Sequence, residues 1–106
     1  MGDDNKFKVI DEGHQYELDN IDGGTQTLQF IRKEPEDDGV TLKTMINGTT
    51  NEAVLGVIIN RLAYLNEVLP DSFTKEAIDH CEAALHALEA RTEDRQGRGV
   101  EGTNKE

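Results

Sequence analysis

Three arginines near the end of the chain have the spacing most suited to binding chemistry. Arg91, Arg95 and Arg98 stand at i, i+4 and i+7, so a helix would place them on one face. A guanidinium group suits bidentate contact with phosphate, which predicts an anion clamp. The alternative is a structural role, in which the arginines complement a helix C-terminus or pair with Glu89, Glu93 or Asp94.

Tyr64 is the second candidate binding residue. It follows Leu62 by two positions, so it lies off the main apolar stripe of its predicted helix. Its ring could stack on a nucleotide base. The alternative is an aromatic side chain at the edge of the core or in an interface.

The remaining polar residues do not predict catalysis or a metal site. His80 and His86 are six residues apart and face different sides of a helix, His14 is remote, and Cys81 is the single cysteine. The carboxylates fall mostly in predicted loops and suit a solvated surface. No serine or cysteine has a recognisable nucleophile setting. We therefore expect no enzyme activity, no metal and no cofactor.

The composition limits the classes of partner. The chain has 106 residues and a net charge of −11. Polymeric DNA or RNA and an acidic membrane surface are therefore poor partners, since they require a basic surface. Hydrophobic residues make up 35% of the chain and aromatic residues 5%, which predicts a thin core and self-association. No run approaches the roughly 18 apolar residues of a membrane span. The polar N-terminus and single cysteine predict a cytoplasmic protein.

The elements that carry these residues form a predicted α+β fold in a single domain, residues 1–106. A small N-terminal antiparallel sheet occupies 7–46, a C-terminal antiparallel helical hairpin 50–96, and a glycine-rich polar tail 97–106. Period-two alternation predicts strands over Lys6–Ile10, His14–Leu18 and Thr27–Lys33, with a short fourth strand over Val40–Ile46. Glu34–Gly39 is predicted to be a loop.

The helical hairpin follows from apolar residues at helical spacing on both sides of Pro70–Asp71–Ser72. Thr49 and Glu52 match a capping box for the first helix, and Asn47–Gly48 is predicted to form a turn that leads into it. The second helix is predicted to run to Arg95. The predicted stripes are Val54, Leu55, Ile58, Leu62, Leu65 and Leu69 on the first helix, and Ala77, Ile78, Cys81, Ala84, Leu85 and Leu88 on the second.

Five segments together resemble one protein family. They are GHQYELDN (13–20), QTLQFIRKEP (26–35), NGTTNEAVLGVIINRLAYLN (47–66), EAIDHCEAALHALEARTEDR (76–95) and RGVEGT (98–103). They resemble the phage anti-Thoeris and anti-CBASS signal-sponge proteins from about Phe7 to Thr103. The stretch from Arg91 to Gly102 is the most specific part of the resemblance.

The resemblance implies a function as well as a fold. Members of that family assemble as dimers and often hexamers. They sequester glycocyclic ADP-ribose made by bacterial TIR enzymes, and some also hold cyclic di- or trinucleotides in separate pockets. They do not cleave the messenger, and its removal deprives the defence effector of its signal. The expected setting is the cytoplasm of the infected bacterial host.

The resemblance also implies a binding site between protomers. Tyr64 takes the place of an aromatic residue that stacks on adenine, and Arg91 with Arg95 matches two arginines that face the phosphates. Thr74 stands where relatives have a ligand-contacting asparagine. Arg98, Asn47 and Arg32 are expected at the pocket edge.

Two other function classes stay open at this point. One is an acidic, oligomeric protein-interaction module that inhibits a host protein, for example by mimicking DNA. The other is an enzyme that degrades the messenger. Binding of a nucleotide and recovery of intact ligand would separate the three.

Overall fold

The computed structural model describes residues 6–99, and its architecture is the predicted α+β arrangement. Two antiparallel sheets, of three strands and then two, precede two C-terminal helices that form a hairpin. The elements are β1 (Phe7–Asp11), β2 (Gln15–Asp19), β3 (Thr25–Gln29), β4 (Arg32–Pro35), β5 (Leu42–Ile46), α1 (Asn51–Val68) and α2 (Ser72–Gly97).

The three-stranded sheet, in the order β1-β2-β3, confirms the predicted antiparallel N-terminal sheet. Val9 pairs with Tyr16, which in turn pairs with Leu28. The Tyr16 ring contacts the rings of Phe7 and Phe30 edge to face, each with its centroid 5.9 Å away. Such pairs add stabilisation beyond the buried area. This face therefore holds most of the few aromatic residues of the chain.

The predicted third strand, Thr27–Lys33, is divided in the structure. β3 ends at Gln29 and β4 begins at Arg32. Between them the backbone of Thr49 approaches: its N–H donates to the Gln29 carbonyl at 2.9 Å, and its carbonyl accepts from the Ile31 N–H at 3.0 Å. This parallel bridge occupies the backbone groups that would have continued the strand. A contact so distant in sequence leaves no mark on local alternation.

The predicted turn at Asn47–Gly48 is wrong for the same reason. Gly48 passes directly over the end of β3, where a Cβ atom would lie 2.6 Å from the Gln29 carbonyl oxygen. The glycine is therefore required by a close approach of two backbones and not by a turn.

The β4–β5 connection is a hairpin loop, and Glu34 and Pro35, both expected in that loop, are the last two residues of β4. Asp38 Oδ1 accepts from the N–H groups of Val40 and Thr41, both at 2.8 Å, and Oδ2 accepts from the Thr41 hydroxyl at 2.7 Å. Gly39 completes the turn at φ 71°. One carboxylate thus satisfies three donors of the loop.

The predicted capping box at the start of α1 is also wrong. The N-cap is Thr50, whose side chain accepts from the Ala53 N–H at 3.1 Å. Thr49 is committed to its backbone bridge with β3, so the cap falls one residue later. Sequence alone could not choose between two adjacent threonines.

The buried side of α1 differs from the predicted stripe. Val54, Leu55 and Leu62 are half-buried as predicted, but Ile58, Leu65 and Leu69 are exposed. Ile59 and Asn66, which lie outside the predicted stripe, are half-buried. Apart from Val54 and Gly56, the less exposed positions of α1 recur at heptad spacing: Glu52, Leu55, Ile59, Leu62 and Asn66. Because α1 is apolar on two sides, periodicity could not show which side would pack.

α2 begins and ends nearly where the sequence indicates. Asp71 is its N-cap and accepts from the Phe73 N–H at 2.7 Å. The helix continues two residues past Arg95 to Gly97, with Arg98 as C-cap and Gly99 at φ 74°. Apart from Ala77, its less exposed positions also recur at heptad spacing: Thr74, Ile78, Cys81, Leu85, Leu88, Thr92 and Arg95. Residues 100–106, the rest of the predicted tail, lie outside the described part, as do Met1–Asn5.

The chain groups into two compact units. The first contains the described residues up to Glu34 together with Lys43–Thr49, and the second contains Pro35–Leu42 and the described residues from Thr50. In the described part of the chain, Ile78, at 9% exposure, is the one buried apolar side chain. The core is therefore as thin as the composition predicts.

Candidate functional site

The three candidate arginines lie in the last turns of α2, but they have different surroundings. Arg91 is exposed, Arg95 is 8% exposed, and Arg98 is exposed at the C-cap. The Nε of Arg98 donates to Asp94 Oδ2 at 3.0 Å. Arg98 thus shows the pairing that the structural alternative anticipated, with Asp94 one turn earlier.

Arg95 continues the half-buried row of α2, and it has an interaction partner in the chain. No buried side-chain nitrogen or oxygen in the described residues lacks a hydrogen-bond partner. Arg91, one turn earlier, projects into solvent. The two arginines are close in sequence, and Arg91 is the more accessible to an anion.

Tyr64 is 60% exposed and borders a shallow concavity on one side of α1. We call this concavity the α1 shelf; its volume is about 560 Å³, and its lining residues are Ala53, Gly56, Val57, Asn60, Arg61 and Tyr64. That volume falls within the range of small-molecule sites. The shelf is open, so a bound molecule would keep one side in solvent unless something covered it.

Thr74 lies in the first turn of α2 and is half-buried. Its backbone N–H faces the N-cap carboxylate of Asp71, at 3.4 Å. The Asp71 N–H in turn donates to Asn66 Oδ1 at 2.9 Å, which fixes the turn between the helices. Thr74 therefore belongs to the tip of the hairpin.

Asn47 and Arg32 belong to the first unit. Asn47 is exposed, and its Oδ1 accepts from the Gly48 N–H at 3.0 Å. Arg32 donates to Asp11 Oδ2 at 3.0 Å and lies 3.3 Å from Glu34 Oε2. Both contacts support the local structure of that unit.

The hairpin separates the candidate residues into two groups. Tyr64 and Thr74 lie a few residues on either side of the tip, whereas Arg91, Arg95 and Arg98 lie at the other end of α2. Thr74 and Arg95 are separated by about 30 Å along the helix, at about 1.5 Å per residue. One copy of the chain cannot bring both groups to the same small ligand.

A second concavity, of about 430 Å³, lies between the start of α1 and the end of α2. Its lining residues are Glu52, Glu89, Thr92 and Glu93. Three carboxylates make it unsuited to a phosphate. Among residues 6–99, no group of three or more His, Cys, Asp and Glu side chains is placed to hold a metal ion.

Sequence reasoning missed Arg61 and Asn60, which line the α1 shelf beside Tyr64. A signal for Arg61 was present. The positions three and four residues away, Val57, Ile58, Tyr64 and Leu65, hold no carboxylate to pair with it.

Comparison with known proteins adds no relative. No protein-family profile matches the chain, and no curated protein matches it at a significant level. Within residues 6–99, none of the helices has both the length and the apolar character that crossing a bilayer requires.

Proposed function

We propose that this protein binds a cyclic nucleotide immune messenger between its own subunits and sequesters it without cleavage. The messenger is glycocyclic ADP-ribose, with cyclic di- or trinucleotides as further ligands, and the setting is the cytoplasm of a bacterium infected by a phage. The resemblance of the segments between Phe7 and Thr103 to the signal-sponge family supports this proposal.

The observation that carries the proposal is the separation of the stacking and charged groups on the hairpin. Tyr64 and Thr74 lie near the tip, and Arg91 lies near the opposite end of α2. When two copies pack antiparallel, the tip of each meets the arginine end of the other. Two-fold symmetry then creates two equivalent sites per dimer.

A second copy is also the occupant that suits the exposed side of α1. We call Val54, Ile58, Arg61, Leu65 and Val68 the outer seam; their spacing of four and three residues is that of a coiled-coil interface. Val54 is half-buried, and the other four are exposed. A helix that is apolar on two sides is normally covered on both. The same seam on a second copy has the matching spacing.

Covering the α1 shelf provides the affinity that sequestration needs. A messenger active at nanomolar concentration must be held with a binding free energy of about −12 kcal/mol. An open shelf leaves part of the base and the phosphates hydrated. A site closed by two subunits removes both from water, as in typical ligand pockets.

The test is calorimetric titration of the purified protein with glycocyclic ADP-ribose and a panel of cyclic di- and trinucleotides. We expect nanomolar binding of at least one compound and recovery of that compound intact after heating the complex. Recovery of cleavage products would replace sequestration by an enzyme activity. No binding across the panel, together with capture of a host protein, would favour the acidic interaction module.

A further inference from the structure

We infer that Arg61 is an anion-binding residue of the α1 shelf, where it contacts a phosphate of a ligand whose base stacks on Tyr64. This inference rests on the proposed function and assigns a role to a residue outside the arginine cluster of α2. With Arg61, the α1 shelf of one subunit has both an aromatic ring on which a base can stack and a positive charge that can contact a phosphate, on the same helix.

The geometry of α1 places the two groups side by side. Arg61 and Tyr64 are three residues apart and both line the shelf. Side chains at this spacing have Cβ atoms about 5–6 Å apart. A nucleotide presents a planar base and a phosphate within a few bonds of each other, so both can be met from one helix face. Asn60, which also lines the shelf, adds an amide that can donate to or accept from a base edge.

Among residues 6–99, Arg61 has no structural partner that would explain its position. It is exposed, and no described residue forms an ion pair or hydrogen bond with its side chain. Arg32 and Arg98, by contrast, are each paired with carboxylates. In a chain of net charge −11, a solvent-facing arginine among apolar neighbours is unusual. A ligand anion would supply the missing partner.

Because Arg61 lies within the outer seam, a bound anion also strengthens association between two copies. Two residues of the seam precede Arg61 and two follow it. Antiparallel packing of two complete seams therefore brings the two Arg61 side chains together, out of water. Like charges in that position repel, and burying an unpaired charge is costly. Bound phosphate groups remove both penalties, so ligand binding and association strengthen each other.

The experiment compares Arg61→Gln and Arg61→Lys with wild type and with Lys43→Gln. Lys43 is an exposed cation on β5, so its replacement gives the same change of net charge away from the shelf. The probe is whichever panel compound binds wild type most tightly, titrated by calorimetry at constant ionic strength. We expect Arg61→Gln to weaken binding at least tenfold, Arg61→Lys to fall between it and wild type, and Lys43→Gln to stay within twofold.

The outcomes separate this inference from the proposed function. If wild type binds a panel compound and Arg61→Gln binds it within twofold of Lys43→Gln, the role of Arg61 is wrong and sequestration stands. If wild type binds no compound, sequestration fails first and takes the Arg61 assignment with it. Circular dichroism of each variant verifies that helix content is unchanged. A folded Arg61→Gln protein with tenfold loss supports the inference.

Discussion

Arg91 and Arg95 show how two residues of one type, one helical turn apart, acquire different roles. Arg91 is exposed near the end of α2, whereas Arg95 is 8% exposed and engaged within the chain. The sequence predicted an equivalent pair. The sequence could not reveal the difference between them. The half-buried row of α2 continues through Thr92 to Arg95, so its last member is a charged residue, a type that sequence patterns assign to the surface.

Alanine substitutions should separate these roles. We expect Arg91→Ala to change the free energy of unfolding by less than about 0.5 kcal/mol, as is usual for exposed positions. It should still weaken binding of the messenger at least tenfold. Arg95→Ala should lower both stability and binding, because it also removes a buried side chain. Thermal unfolding and calorimetry measure the two effects. Equal stability loss in both variants would contradict the distinction.

Gly48 gives a residue-scale prediction in the first unit. In Gly48→Ala the new Cβ would lie 2.6 Å from the Gln29 carbonyl oxygen and the Phe30 carbonyl carbon, which are backbone atoms that cannot move independently. We expect the free energy of unfolding to fall by about 1–3 kcal/mol, as is typical when extra atoms are forced into a tightly packed site. The measurement is chemical denaturation followed by tyrosine fluorescence.

Gly56→Ala is the matched control for that substitution. Gly56 lies inside α1, and a Cβ there meets nothing within 4 Å. Alanine should therefore stabilise the helix by about 0.5–1 kcal/mol. If both variants changed stability in the same direction, the close approach at Gly48 would not be the deciding contact.

At the scale of elements, the sequence predicted which segments form strands and helices better than it predicted where those strands and helices begin and end. Alternation in β1, β2 and β3 and the break at Asp71 are local properties, so the sheet and the helical hairpin were both predicted. The division at Phe30 and the cap at Thr50 depend on Thr49 crossing the end of β3. Contacts of that kind join residues about 20 positions apart and are invisible to local patterns.

The β4–β5 loop carries a pH-dependent prediction. The Thr41 hydroxyl, followed by the backbone N–H groups of Val40 and Thr41, lowers the pKa of Asp38 from its ordinary value. A lowered pKa in the folded state means that the ionised form stabilises the protein. This stabilisation is complete above the ordinary aspartate pKa of about 4 and is lost as the pH falls through the folded-state value.

Asp38→Asn should accordingly be less stable than wild type at pH 7, and the difference should narrow as the pH falls below about 4. The adjacent Asp37→Asn is the control, because Asp38 holds the side-chain hydrogen bonds of this loop. Thermal unfolding from pH 7 to pH 2.5 gives the comparison. A difference for Asp38→Asn that stays constant with pH would exclude the ionised hydrogen-bonded network as its source.

At the scale of the whole molecule, the outer seam predicts self-association. The exposed fractions of Ile58, Leu65 and Val68 are 41%, 37% and 66%, and in the described residues no apolar side chain other than Ile78 is buried. Apolar area left in water favours association by about 25 cal/mol per Å² when it is covered. We therefore expect wild type to sediment at micromolar concentration with at least the mass of a dimer.

Leu65→Glu tests whether the seam is the surface that associates. Two glutamates brought together in an apolar contact would each be buried without a partner, so the dimer should dissociate while each hairpin stays folded. Ala83→Glu, at an exposed position on α2, adds the same charge outside the seam and should leave the mass unchanged. Because the proposed site lies between copies, Leu65→Glu should lose messenger affinity at the concentrations where it is monomeric.

A Leu65→Glu protein that keeps the wild-type mass would show that the copies associate through another surface. A monomer that still binds at nanomolar concentration would show that the α1 shelf of a single chain is sufficient.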